Sequence, residues 1–352
     1  MKLKRAKRQS LFLKKIYLHH FRNHENREFV FGPHINVIYG DNARGKTNLL
    51  EAISLISTGR SFRTQHLFEI IQEGKKFFYI EATFEQAGVE QTIKMSFDGK
   101  EKKLQINSTE FSSFNPLLGS FPSIFSLPSD MELVTDSPAH RRRFLNLHLA
   151  QSDPMYVHYL ARFWRACKQR NCLLKSRNLE LIFCYETEMA QAASYLFHAR
   201  KMFLDQLREP LLQQTISSHE SIALHFKSTY PPLAHDYQEH LKKMRTREQD
   251  TGITLHGPHR DDFVILINDK SAQTYASEGQ KKTIVTALRF CQWHHLIEKT
   301  QSPPLFVIDD YEGMLDEIRQ IHLKAVLKTM GQVFVTTPHL IGTFENSTYH
   351  KI

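Results

Sequence analysis

The segment Gly40-Asp41-Asn42-Ala43-Arg44-Gly45-Lys46-Thr47 constrains this chain more than any other feature, because it is a complete phosphate-binding loop in suitable surroundings. The apolar run Ile35 to Tyr39 precedes it, and Asn48-Leu49-Leu50-Glu51-Ala52-Ile53 follows. That order reads as buried strand, glycine-containing turn and helix. Such a loop turns its backbone N–H groups toward phosphates, and the next helix points its positive dipole end at them. Lys46 is expected to reach the β- and γ-phosphates and Thr47 to ligate Mg²⁺ through its hydroxyl. The chain is therefore expected to bind a nucleoside triphosphate.

At 352 residues the chain has room for about two domains. A hydrophobic content of 41% and a charged content of 24% are those of an ordinary globular protein. The net charge of +9 and pI near 9.2 favour a polyanionic partner. Cys167, Cys172, Cys184 and Cys291 form no CxxC pair and read as reduced thiols, which fits a cytoplasmic protein. Lys2, Lys4, Arg5, Lys7, Arg8, Lys14 and Lys15 crowd the start of the chain without a single acid. Leu11-Phe12-Leu13 is too short for the apolar part of a signal peptide. The cluster reads either as a solvated tail or as a contact for the DNA backbone. No run approaches the roughly 20 apolar residues that cross a bilayer, so no membrane association is expected.

Three blocks follow from the patterning. Residues 1–150 alternate short apolar runs with turns: Leu11 to Leu18, Ile35 to Tyr39, Phe77 to Phe84 and Gln91 to Phe97. Residues 151–250 contain no glycine, and Tyr156, Tyr159, Phe163 and Cys167 repeat at helical spacing. Strand-like runs return in 251–352, at Phe263 to Ile267, Leu305 to Ile308 and Gln332 to Thr336. The middle block lacks sustained heptads and reads as a compact helical arm rather than a coiled coil.

Leu305 to Ile308 ends in Asp309 and Asp310. A buried strand that delivers a carboxylate at its end is how P-loop proteins support the Mg²⁺ shell, and the next residue can orient an attacking water. Upstream, Ser277-Glu278-Gly279-Gln280 opens a helical run. Read locally, Ser277 with Gln280 is a capping box. The same Ser-x-Gly-Gln arrangement is also the signature of ABC-type ATPases, in which it faces the γ-phosphate held by the opposite protomer. His256 and His259 flank a turn without metal-ligand spacing, and Asp261-Asp262 with Asp309-Asp310 is set aside as a two-metal nuclease site.

Taken together, these stretches resemble the RecF family of bacterial recombination and gap-repair proteins, which have an SMC-like ABC ATPase head. The resemblance spans nearly the whole chain. It includes Phe21-Arg22-Asn23, the phosphate loop through Ile53, Gly59-Arg60-Ser61-Phe62-Arg63-Thr64, Ser137-Pro138, Arg141-Arg142-Arg143 and Gln169-Arg170-Asn171. Gly257-Pro258-His259-Arg260-Asp261-Asp262 and Ser277-Glu278-Gly279-Gln280 complete it. The resemblance implies an α/β fold, an ABC-type (SMC-like) P-loop ATPase head with an inserted helical arm. Residues 1–150 would carry Walker A, 151–250 the arm, and 251–352 the signature motif and Walker B. It implies ATP and Mg²⁺ as ligands, with Gly40, Asp41, Asn42, Ala43, Arg44, Gly45, Lys46 and Thr47 around the phosphates. Thr47 and Asp309 would hold the metal, and Asp310 would position water. Ser277, Gly279 and Gln280 would act across an ATP-dependent homodimer. The implied partners are duplex DNA beside single-stranded gaps and mediator proteins of the RecO and RecR type. DNA contacts would come from the N-terminal basic residues, Arg60, Arg63 and Arg141 to Arg143.

Several positions depart from the family pattern. Ala43 replaces a glycine, so φ > 0 there is strained, and Glu278 places an acid in the signature. Gly313-Met314 replaces a Ser-Glu pair ahead of Leu315-Asp316, and Pro338-His339 follows Thr336-Thr337 where a switch residue normally sits. Nucleotide binding with slow, DNA-stimulated hydrolysis is expected. Two other readings remain open: a monomeric P-loop kinase or NTPase acting on a small molecule, and a DNA scaffold whose ATP site has decayed.

Overall fold

The apolar runs on either side of the phosphate loop come together in one unit of the fold. The computed structural model describes residues 11–208, 221–314, 323–340, 344 and 347–352. Lys2, Lys4, Arg5, Lys7, Arg8, Leu315 and Asp316 lie outside the described residues. Two compact units divide the chain. One is Met1–Asp130 with Val285–Ile352, and the other is Met131–Ile284. The first unit begins with β1 (Leu11–Phe21), β2 (His24–Val30), β3 (Ile35–Tyr39), β4 (Phe78–Gln86), β5 (Val89–Phe97), β6 (Lys102–Ile106), β7 (Thr109–Phe111) and β8 (Ser123–Ser126). The second holds β9 (Ile222–Lys227), β10 (Asp262–Ile267) and β11 (Lys270–Ser271). The chain then returns to the first through β12 (Leu305–Ile308), β13 (Val333–Thr337) and β14 (Thr348–Lys351).

Two sheets of the first unit enclose the helix that follows the phosphate loop, α1 (Lys46–Thr58). One is antiparallel, in the order β2-β1-β4-β5-β6-β7. Its strands alternate, so that Ile80, Ala82 and Phe84 face the core while Tyr79, Glu81 and Thr83 lie on the other face. The other sheet has the order β14-β3-β13-β12-β8, and all its pairings are parallel. It is covered on both faces. Leu305, Val307 and Phe334 pack with α1, while Phe306, Ile308, Val333 and Val335 pack with Phe290, Trp293 and Leu296. This explains why its strands read as continuous apolar runs rather than alternating ones.

Because α1 is enclosed, every residue from Leu49 to Thr58 is buried. Its hydroxyls therefore need partners within the helix. Ser57 donates to the Ile53 carbonyl and Thr58 to the Ser54 carbonyl, each at 2.8 Å. Burial of Leu49, Leu50, Ile53, Leu55 and Ile56 contributes about 1.5–3 kcal/mol per side chain. A rigid helix thus carries the phosphate loop at its start.

The second unit packs helices Pro138–Ser152, Pro154–Ser176, Ile182–Gln206 and Ala234–Thr251 with the antiparallel sheet β11-β10-β9. It contains the glycine-free span expected to form the arm, and also β9, which that span's helical periodicity did not signal. Asp153 caps the second of these helices by accepting from Met155 N, ahead of Pro154 at its first position. Two fully buried arginines organise the interior. Arg170 pairs with Glu248 (2.6 Å) and Glu186 (3.2 Å), and Arg200 pairs with Asp261 (2.6 Å) while donating to the Pro258 carbonyl. Arg141 makes a two-pronged pair with Asp262. The Gln169-Arg170-Asn171 and Gly257-to-Asp262 stretches are thus largely parts of one ion-paired interior.

His259 lies in this network. Its Nε2 donates to the Thr254 carbonyl (3.0 Å), its ring stacks on Phe163, and its Nδ1 is buried without a partner. Burial pushes its pKa down to about 4, assisted by the neighbouring Arg260, Arg142 and Arg200. The imidazole is neutral in the folded chain, whereas the unfolded chain takes up its proton near pH 6.5. Stability from this residue is therefore present above pH 6.5 and is lost as pH falls from there toward 4. The second unit is expected to lose up to about 3 kcal/mol over that window. His259→Phe should flatten the corresponding part of the stability-versus-pH curve in urea titrations.

Candidate nucleotide site

The loop after β3 takes its shape from three residues with positive φ: Gly40 (146°), Ala43 (65°) and Gly45 (111°). Gly45 is needed for space as well, since a Cβ there would meet the Asn23 side chain at 2.6 Å. At Gly40 a Cβ would meet the Ile352 carbonyl at 2.4 Å. Ala43 adopts the left-handed conformation despite its methyl group, so the loop keeps its turn at a cost of about 1–2 kcal/mol. The strain expected at this position is therefore present.

The loop bounds a cavity of about 330 Å³ lined by Asn42, Ala43, Gly45, Lys46, Thr47, Asn48 and Arg63. Its size is in the range that holds small ligands. Lys46 Nζ donates to the carbonyls of Gly40 and Asp41, the latter at 3.0 Å, which keeps a cation at the loop. Asp41, Asn42, Ala43 and Arg44 are exposed at its rim.

Thr47 Oγ1 lies 3.1 and 3.0 Å from the two carboxylate oxygens of Asp309, a residue 262 positions away. The sheet explains the meeting. β3 and β12 each pair with β13, so the ends of these parallel strands lie at one edge. Thr336 on β13 completes the arrangement. Its hydroxyl donates to Asp309 Oδ1 (2.7 Å) and accepts the Asp310 N–H (2.8 Å). A hydroxyl and a carboxylate form the hard-oxygen donor set that suits Mg²⁺, so Thr47 and Asp309 fit that ion.

Asp310 is exposed, with φ 57°. A Cβ on Gly313 would come within 2.4 Å of its Oδ2, so glycine here gives room to the Asp310 carboxylate. Glu312 accepts from Thr337 Oγ1 (3.1 Å), at the end of β13.

Side chains from outside the phosphate motif hold the loop, and no local spacing announces them. Asn23 Nδ2 donates to the Arg44 carbonyl (2.9 Å), Asn48 Nδ2 to Asn23 Oδ1 (2.8 Å), and Arg63 Nη1 to Asn48 Oδ1 (2.7 Å). Behind them Glu51 is fully buried inside α1. Arg22 grips its two oxygens at 2.8 and 2.7 Å, and Ser61 Oγ donates to it. A lone carboxylate in the apolar run Leu49 to Ile56 was the signal that a buried cation existed.

Ser277 and Gln280 form the reciprocal capping box in full. Gln280 N donates to Ser277 Oγ (3.2 Å), and Ser277 N donates to Gln280 Oε1 (2.8 Å). They open the helix Glu278–Thr300, with Ser277 exposed and Gly279 at its first turn. Glu278 pairs with Lys281 (2.9 Å), which offsets the acid in the signature. Ser277, Gly279 and Gln280 belong to the second unit, whereas the loop, Asp309 and Asp310 belong to the first.

Several other candidates have different duties. Arg141 is buried in its pair with Asp262 and in bonds to the Leu133 and Asp136 carbonyls, so its guanidinium is not a surface contact for DNA. Arg142 donates to the Asp261 carbonyl, and Arg63 lines the nucleotide cavity. Arg60 and Arg143 are exposed. His256 and His259 each bond a backbone carbonyl.

Walker A loop, strand-end carboxylate and signature helix, on a parallel sheet backed by an antiparallel one, define an ABC-type, SMC-like P-loop ATPase head. Comparison with known proteins agrees. The family model "RecF/RecN/SMC N terminal domain" matches residues 12–348, and the chain belongs to that family, among its RecF members. It is 39% identical over 335 residues to the DNA replication and repair protein RecF of Protochlamydia amoebophila, covering 92% of this chain and 93% of that one. The RecF of Chlamydia caviae is 36% identical, covering 92% and 90%. A solved structure of the recombination mediator protein RecF-ATPrS in the RecFOR pathway superposes with a TM-score of 0.90 at 27% identity, covering 99% of this chain and 98% of that one. An SMC head bound to the C-winged helix domain of ScpA, with 13% identity and a TM-score of 0.51, shares the fold.

Two outcomes are expected of variants around the site. Ala43→Gly should stabilise the first unit by about 1 kcal/mol by relieving the left-handed alanine, read as a higher unfolding midpoint. Glu51→Ala leaves Arg22 facing an apolar helix and should cost about 3 kcal/mol in the same assay. Exposed Glu73→Ala should change stability by less than about 0.5 kcal/mol.

Proposed function

We propose that this chain is an ATP-switched DNA-binding protein of recombinational repair. The contact between Thr47 and Asp309, at the end of a parallel sheet in a RecF-family chain, carries this reading. The backbone N–H groups of the loop and Lys46 bind and orient the phosphates of ATP. Thr47 and Asp309 would hold Mg²⁺, which when bound would supply positive charge against the triphosphate. Asp310 orients the attacking water, with Glu312 as its less suited neighbour. Because Asp310 is shorter than a glutamate and Gly313 leaves its carboxylate room to turn, hydrolysis is slow.

Ser277, Gly279 and Gln280 complete the site from a second copy of the chain, which makes ATP the bridge between two heads. Two bound nucleotides favour the closed dimer because only that state uses both faces of each. The closed dimer grips duplex DNA beside a single-stranded gap, mainly through phosphates, and hydrolysis releases it. The net charge of +9 and the exposed Arg60 and Arg143 support this part. Mediators of the RecO and RecR type are the partners with which it would help load the recombinase. The reading places the protein in the cytoplasm, and among the described residues no helix is long and apolar enough to cross a membrane.

ATP turnover per molecule, measured against protein concentration with and without gapped duplex DNA, tests this reading, with Lys46→Ala as the blank. Activity per molecule should rise with concentration and rise further with DNA. Activity that is flat with concentration and indifferent to DNA would instead favour the small-molecule NTPase. ATP binding without turnover on any DNA would favour the scaffold with a decayed site, a reading for which the strained Ala43 and Gly313 are the specific observations.

A further inference from the structure

The role of Thr336 follows from where β13 lies, and it deepens the ATPase reading on which it rests. β13 is the strand between β3, which leads into the phosphate loop, and β12, which delivers Asp309. Thr336 is paired with Ile38 in the parallel register, one residue beyond the Val335–Ile308 pair, so its side chain stands beside Asp309. The residue is 1% exposed. Its hydroxyl has one proton to give and gives it to Asp309 Oδ1 (2.7 Å), while its lone pair takes the Asp310 N–H (2.8 Å).

We propose that Thr336 is the positioning residue of the Mg²⁺ site. One buried hydroxyl fixes the orientation of the metal-supporting carboxylate and, through the backbone, the place from which Asp310 works. The proton supplied to Asp309 Oδ1 removes the freedom of that carboxylate to rotate away from Thr47. The bond to the Asp310 amide pins a residue held at φ 57°. Hydroxyl and carboxylate are already arranged before the metal arrives, which lowers the ordering cost of binding it. Valine has nearly the shape of threonine but cannot make either bond, and serine can make both.

The test compares the parent, Thr336→Val and Thr336→Ser. Mn²⁺ binding is followed by electron paramagnetic resonance in the presence of ADP, with metal-free ADP binding measured separately by calorimetry. Thr336→Val should weaken Mn²⁺ binding about tenfold, equivalent to about 1.4 kcal/mol, with metal-free ADP affinity within about twofold of the parent. Thr336→Ser should restore Mn²⁺ affinity to within about threefold. In ATP turnover, the Mg²⁺ concentration at half-maximal rate should shift upward in the valine variant and return in the serine variant. Parent-like Mn²⁺ affinity in the valine variant would overturn the proposal, as would a serine variant as weak as the valine one, since the effect would then be packing. Should Thr336→Val fail to fold, Thr336→Cys, with a weak donor of similar volume, carries the same expectation. A parent chain that binds no ADP at all would overturn the ATPase reading itself, whereas binding by the parent with unchanged variants overturns only the role of Thr336.

Discussion

The carboxylate of Asp309 is the point through which the site is tied together. It accepts the hydroxyl of Thr47 from the start of α1 and that of Thr336 from β13. Three segments far apart in sequence therefore converge on one charged group that is itself only 8% exposed. A buried carboxylate is tolerated only where donors face it, so the sheet register and helix position must both be correct for it to be satisfied. The parallel order β3-β13-β12 supplies that register. An antiparallel arrangement would put the loop and the carboxylate at opposite edges.

The same logic, with different residues, governs the helix-rich unit. Arg170, Arg200 and Arg141 are buried or nearly so, and each has a carboxylate partner brought from a distant part of the chain. Buried ion pairs add little net stability over an apolar core, yet removing one partner is costly. Their effect is to favour one arrangement of helices and strands over near-equivalent alternatives. That accounts for the family-like Arg and Asp stretches in this unit without assigning them to DNA.

What the sequence revealed about the site was what it encodes locally. The phosphate loop, the capping box at Ser277 and the acid at the end of β12 each occupy a few consecutive residues, with the chemistry written in spacing. The hydrogen-bonded chain from Arg63 through Asn48 and Asn23 to the loop was not legible, because its members come from a hairpin, a helix and a loop that only the fold unites. Arg141 shows the converse. Three consecutive arginines suggest a surface for phosphates, but Asp262, 121 residues on, turns the first of them inward. β9 escaped because it is a short strand in a region dominated by helical periodicity. At Ala43 the strain implied by the missing glycine is present, and the loop accepts it rather than avoiding it.

The first unit is made from two stretches of chain with the whole second unit between them. Among the described residues β3 pairs only with β13 and β14, and the apolar surface of α1 is closed in part by Leu305, Val307 and Phe334. During synthesis, then, the phosphate loop and its helix emerge long before the strands that cover them. The second unit, Met131–Ile284, is one continuous stretch, so all of its sequence is available in the meantime. An early half of the ATPase head must wait, with an uncovered helix and two open strand edges, until β12 to β14 leave the ribosome. The order of the gene thus sets a period of vulnerability in the synthesis of each molecule, when the apolar surface of α1 still lacks Leu305, Val307 and Phe334.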